Sequence, residues 1–167
     1  NSLEELKPYA SYIESKYIDG LHSHIVISFE KDGKLDKAII DCKCELREPD
    51  KKLQKILGVD KLIEKDKYVQ YVLVEIHAKE LILNDKSSCS KIVCEGLYIK
   101  KGKKLRVDYV EAKNFVGGGS IKAYGVFCDV LYIEKLNCER TECKTISVKK
   151  DYKDKIIKAD RLRKYYR

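Results

Sequence analysis

The sequence predicts an α+β fold: an N-terminal helix, a β-hairpin, a second helix, then a mostly antiparallel β-rich C-terminal half with a short basic terminal helix. Three observations predict it. Apolar residues recur at helical spacing near both ends and again after residue 50. Asp32-Gly33 sits between two β-rich runs. From residue 85 onward, short alternating runs follow one another with turn residues between them.

The first helix is expected over residues 3–18. Ser2 is followed three residues later by Glu5, a capping-box pattern, and Leu6, Tyr9, Ile13 and Tyr17 fall at helical spacing, with Pro8 confined to the early turns. Next, Asp32-Gly33 is the strongest short hairpin signal available, because a type I′ turn needs positive φ at both central residues. With these two as the loop, Lys31 faces Lys34 and every opposed pair sums to 65. Ile25, Ile27 and Phe29 then share an apolar face with Ala38, Ile40, Cys42 and Cys44, and both cysteines read as small buried hydrophobes.

A second helix is expected in "PDKKLQKILGVDKLIEKDK", where Leu53, Ile56, Leu57, Leu62 and Ile63 supply the apolar positions and Gly58-Val59-Asp60 is a candidate break into two short helices. "YVQYVLVEIHAKELIL" reads as one strong strand, with Val72, Val74, Ile76 and Ala78 on one face. "KIVCEGLYI" and "KLRVDYVEA" then flank the lysine-dense tip "KKGKK", as a hairpin would, and "VGGGS" reads as a flexible loop. "IKAYGVFCDVLYIEKL" is too long for an ordinary strand and is expected to bend near Gly125. "KTISV" is a last strand, and "DKIIKADRLRKYY" a short amphipathic basic helix. No internal repeat is apparent on this reading.

With 167 residues the chain suits a single α+β domain over 1–148, followed by a basic segment, 149–167, docked on the body or bound to a partner. The net charge of +8 is concentrated there: from Lys149 onward nine Lys or Arg stand against three Asp, which places +6 in that segment. Abundant Lys, Glu and Ile with scarce Asn and Gln give a thermophile-like composition. No apolar run reaches the ~18 residues of a membrane span and no signal-peptide series opens the chain, so a soluble, cytoplasmic protein is expected. Its seven cysteines are a feature that a secreted chain would share.

The hairpin register decides the first candidate site. Two Cys and two His cannot meet across it, because His22 and His24 fall on the opposite face from Cys42 and Cys44. Instead His24 falls opposite Asp41 and His22 opposite Lys43, a set that can bind a divalent cation through imidazole and carboxylate, with Lys43 stabilising developing phosphate charge. "HSH" at 22–24 resembles the His-hydrophobe-His strand of rolling-circle replication endonucleases, with Ser23 in place of the hydrophobe. That resemblance implies a bound metal and a tyrosine nucleophile, for which Tyr152 is the candidate. "DCK" at 41–43 is similar to the acid-x-Lys of the restriction-endonuclease-like fold, which needs a second carboxylate nearby. Glu30 lies about 20 Å from His24 along the strand at ~3.3 Å per residue, which leaves Glu14. Beside these stands the plain reading of a solvated polar hairpin face.

Cys89-x4-Cys94 and Cys138-x4-Cys143 share a spacing that admits a four-cysteine zinc site, two local disulfides or free thiols. A nucleic-acid contact is expected from Lys100, Lys101, Lys103, Lys104 and Arg106, with Tyr98 and Tyr109 as stacking surfaces and Lys158, Arg161, Arg163, Lys164 and Arg167 as further phosphate contacts. Tyrosines among the lysines and no recognisable major-groove helix favour RNA or single strands over duplex DNA. The functional expectation is thus a nucleic-acid-binding module. Its alternatives are a metal-dependent nuclease built on His22, His24 and Asp41, and a non-catalytic structural or protein-interaction domain.

Overall fold

The structure is a computed structural model that describes residues 12–18, 22–41, 43–46 and 71–164. None of these residues is helical. The α+β expectation is therefore corrected: the described chain is all β, wound into a curled, solenoid-like sheet of eleven strands. Strand β1 (Tyr12–Ile18) pairs antiparallel with β2 (His22–Ser28), and β3 (Glu30–Lys31) pairs antiparallel with β4 (Lys34–Leu35). Every other pairing is parallel. The remaining strands are β5 (Lys37–Ile40), β6 (Cys44–Glu45), β7 (Tyr71–His77), β8 (Glu80–Leu83), β9 (Ser87–Val93), β10 (Gly96–Ile99), β11 (Lys104–Glu111), β12 (Asn114–Gly117) and β13 (Ser120–Lys164).

Each coil of the solenoid has three short sides. On the first, Ile27, Ile76, Ile92, Val110 and Val126 stack in register, one per rung. On the second, Ala38, Leu81, Leu97, Phe115 and Leu131 do the same. On the third the stack is Cys44, Ser87, Leu105 and Ile121. All of these are buried, so the core is a set of parallel ladders of inward side chains. Where the third side turns into the first, the in/out alternation slips by one: Cys89 and Ser90 are both buried, as strict period-two geometry would forbid in a straight strand.

The chain therefore does carry a repeat. "AKELIL", "CEGLYI", "AKNFVG", "CDVLYI" and "CKTISV" begin at residues 78, 94, 112, 128 and 143, each a small residue at a corner, a charge, and then the second side with two inward positions. Their spacing of 16, 18, 16 and 15 residues is irregular enough to hide a fixed period. Parallel pairing follows, because equivalent residues of successive coils run in the same direction, and each coil buries its inward face only against its neighbours.

The Asp32-Gly33 turn forms with positive φ at both residues, 54° and 76°, and Glu30 faces Leu35 and Lys31 faces Lys34. One more bond continues it, from Asp36 N to Phe29 O at 2.8 Å. There the two legs part, β2 to β7 on the first side and β5 to β8 on the second. Ile27, Phe29, Ala38, Ile40 and Cys44 still all point inward, on two sides of the solenoid rather than one hairpin face.

Other expectations change in the same way. Tyr12–Ile18 is a strand, because its aromatic and β-branched residues find the open edge of β2, and pairing outweighs a weak helical preference. The long run after residue 70 bends at Ala78-Lys79 into β7 and β8. β10 and β11, expected to pair around "KKGKK", pair with their counterparts on other coils and never with each other. β13 pairs with β11 on two sides and with β12 on the second, so its 45 residues wind around the axis. It continues through Lys164, where a helix was expected. The second expected helix, after residue 50, and Cys42 lie outside the described residues.

Candidate functional site

The cross-strand group His22, His24, Asp41 and Lys43 is not assembled. His24 is registered with Lys16 and Leu73, and His22 with Ile18 and Tyr71. Asp41 follows β5 on the second side, where its Oδ1 accepts a hydrogen bond from Asn84 Nδ2 at 2.6 Å, and Lys43 pairs with Glu45 at 3.1 Å. Glu14 faces Val26 and Tyr152 lies within β13. The third histidine, His77, is half-buried and shares a 2.7 Å contact with Glu75 Oε1.

The cysteines do not form the expected four-ligand cluster. Cys89 stacks beside Val107 on the third side, whereas Cys94 sits at the corner between first and second sides. Among the described residues, no group of three or more His, Cys, Asp or Glu is placed to hold a metal ion. The metal-binding expectation is corrected on that geometry: an inward column spreads its cysteines along the axis, one to a rung. Burial pushes the Cys94 thiol up to about 12, a neutral core residue at ordinary pH.

The expected nucleic-acid residues are distributed over three sides. Tyr98 points outward on the second side and Tyr109 outward on the first. Lys100, Lys101, Lys103 and Lys104 form the corner between second and third sides, and Arg106 projects from the third. In the corner, Lys103 pairs with Asp85 at 3.5 Å. A hydrogen bond from the Lys86 backbone holds the Asp85 carboxyl below its ordinary range; burial opposes it, and the charge and hydrogen bond of Lys103 and the charge of Lys43 add to the lowering. β13 carries Lys158, Arg161, Arg163 and Lys164, with Arg161 exposed, while Arg167 lies outside the described residues.

The structure also brings together residues that sequence reasoning missed. Arg106 and Lys122 are direct neighbours across parallel strands, both exposed. They open on a recess of about 190 Å³ that is also lined by Tyr124, Asn137 and Glu139. Among the described residues Tyr124 is the most exposed large hydrophobic side chain, at 56%. Lys104 continues the row toward the lysine corner, opposite Ser120. Only the 16-residue offset between Arg106 and Lys122, together with the parallel coil, would have revealed this grouping. The second side is different in kind. Ile39, Ile82, Tyr98 and Val116 stand in register on its outer surface, and Tyr132 continues the line with Lys149 Nζ 5.0 Å from its ring centroid. An apolar recess of about 300 Å³ lies over Gly96, between Ile82, Tyr98 and Val116.

Among the described residues no helix is long and apolar enough to cross a membrane, a statement that does not bear on membrane-spanning strands. No family model matches the chain, and neither a curated protein nor a solved structure matches it.

Proposed function

We propose that the chain binds single-stranded nucleic acid, RNA above all, along the third side and its lysine corner. The observation that carries this reading is the registered pair Arg106 and Lys122. Like charges directly opposed on adjacent strands are unfavourable in isolation, and among the described residues neither forms an ion pair. A phosphate backbone lying across the rungs relieves that repulsion. Tyr124, projecting beside the pair, offers a flat ring for a base, in the role first expected of Tyr98 and Tyr109. Lys100, Lys101 and Lys104 extend the cationic line, and the tail bases remain further phosphate contacts of the same reading. A cytoplasmic location belongs with it. No nuclease is proposed on His22, His24 and Asp41, since the hairpin pairing that would gather them ends at Phe29 and Asp36.

The test is a titration of labelled single-stranded RNA at several salt concentrations, followed by anisotropy. Affinity is expected to fall steeply with salt, and the doubly substituted Arg106→Ala/Lys122→Ala chain to lose about 0.7 of log–log slope per contact removed. Tyr124→Ala is expected to weaken binding by about 1–3 kcal/mol with little change in slope. Unaltered binding by the double variant would reject the site, and no binding by the parent chain at low salt would reject the function. The outcome would then favour a second reading, a protein-interaction module, for which the exposed Ile39, Tyr98, Val116 and Tyr132 are the supporting observation.

A further inference from the structure

We infer that Cys128 and Cys143 are a site of reversible oxidation that closes a disulfide between two neighbouring coils. Their Sγ atoms are 3.0 Å apart. They hold the same corner position in "CDVLYI" and "CKTISV", so they lie on adjacent rungs of one column that also contains Ala78, Cys94 and Ala112. Rungs of a sheet are about 4.8 Å apart, within the roughly 4.4–6.8 Å between Cα atoms that a disulfide spans. Closing the bond therefore needs side-chain movement and no change in strand pairing. The spacing pairs suggested by the sequence alone, Cys89 with Cys94 and Cys138 with Cys143, each cross from one side of the coil to another.

Cys128 is half-buried while Cys143 is 7% exposed, so a small reagent reaches Cys128 first. The oxidant is a low-molecular-weight disulfide such as oxidised glutathione. The Cys128 thiolate attacks one of its sulfurs and displaces one small thiolate. Cys143, after giving its proton to solvent, attacks the Cys128 sulfur of the mixed disulfide and displaces the second. One S–S bond breaks in the oxidant and one forms in the protein, and the two electrons leave on two small thiols. The hydrogen bond with Cys143, and then burial, hold the Cys128 thiol well above the ordinary cysteine range, with Asp129 and Cys138 adding to the effect. Exchange is accordingly slow at neutral pH.

The full chain would be incubated in native buffer at mildly alkaline pH with excess oxidised glutathione, alkylated, and digested with trypsin without reduction. Lys135 and Arg140 lie between the two cysteines, so their peptides stay joined only through a disulfide. The expected result is a joined Cys128–Cys143 peptide pair and an intact mass lower by two hydrogens, retained in Cys138→Ala and lost in Cys128→Ala and Cys143→Ala. Complete alkylation of all cysteines, a glutathione adduct at Cys128 that does not resolve, or a link to Cys138 would each overturn the assignment. The linked wild-type peptides alone decide it if a variant fails to fold, because Cys128, Cys138 and Cys143 fall in three separate tryptic peptides.

Discussion

Ile99 fills the space that a side chain on Gly117 would need: a Cβ there would lie 2.5 Å from the Ile99 carbonyl oxygen and 2.8 Å from its amide nitrogen. Gly117 occupies a column otherwise held by Ile40, Leu83, Ile99, Ile133 and Val148. The cause lies in the next corner. "KKGKK" makes its coil two residues longer than the one before, and the surplus backbone leans on the following coil, with Ser120 N donating to Lys103 O at 2.9 Å. A Cβ on Gly119 would likewise come within 2.8 Å of the Lys100 and Lys103 carbonyl oxygens. The glycine run "VGGGS", expected as a flexible loop, is thus the fitted underside of the lysine corner.

Gly117→Ala is expected to cost about 3 kcal/mol, since backbone rather than a movable side chain must give way. Gly102, at φ 79° with nothing within 4 Å of an added Cβ, isolates the conformational effect alone. Gly102→Ala should cost about 1 kcal/mol. Urea unfolding of the two variants measures both, and equal losses would reject the close approach at Gly117.

Cys94 gives a prediction in alkali. Its thiol is raised from 9.0 to about 12 in the folded state by burial. Between those values the unfolded chain has released the proton and the folded chain still holds it, so stability is fully present below pH 9 and lost as pH rises toward 12. The slope is at most about 1.4 kcal/mol per pH unit for this group. Cys94→Ala keeps the small corner residue seen at Ala78 and Ala112, and should fold and show a shallower alkaline decline in unfolding midpoint against pH.

Thr141 is fully buried, and among the described residues its Oγ1 has no hydrogen-bond partner. A hydroxyl desolvated without a partner costs about 1–3 kcal/mol, so Thr141→Val should stabilise the fold by about 1 kcal/mol. A loss of stability in thermal unfolding would show that the hydroxyl is satisfied in solution.

A column of alternating charge runs down the corner between first and second sides. Lys79, Glu95, Lys113 and Asp129 follow one another, each joined to the one before through an amide donating to a carbonyl, and Lys144 continues the line 3.9 Å from Asp129. Lys113→Glu places three carboxylates in a row. Because all are exposed, the loss should be no more than about 1 kcal/mol, and it should shrink as salt is added. A loss unaffected by salt would point to packing instead of charge.

Much of the inward face was legible from local pattern. Ile27, Phe29, Ala38 and Ile40 were read as one apolar face and are all buried, and the Asp32-Gly33 turn forms with the expected one-to-one register. What was misread is what those faces pack against. A hairpin and a coil corner share the same alternation, and they differ only in whether the chain beyond the turn pairs with itself or with a segment 40 or more residues away. The candidate site suffered more. Tyr98 and Tyr109 sit eleven residues apart and looked like neighbours on flanking strands, yet the coil sends them to different sides, while Arg106, Lys122 and Tyr124 meet because one coil carries the chain back over itself.

By itself the sequence determined which residues face inward, where the chain turns sharply, and that the basic charge lies toward the C-terminal end, because alternation, positive-φ turns and composition are properties of a few consecutive residues. Only the tertiary structure decided that strands pair in parallel, that the lysine corner requires glycines one coil later, and which cations stand side by side. Those relations join residues about 16 to 18 positions apart in the later coils and more than 40 apart where β2, β5 and β6 meet β7, β8 and β9, and such contacts exist only once the coils have stacked.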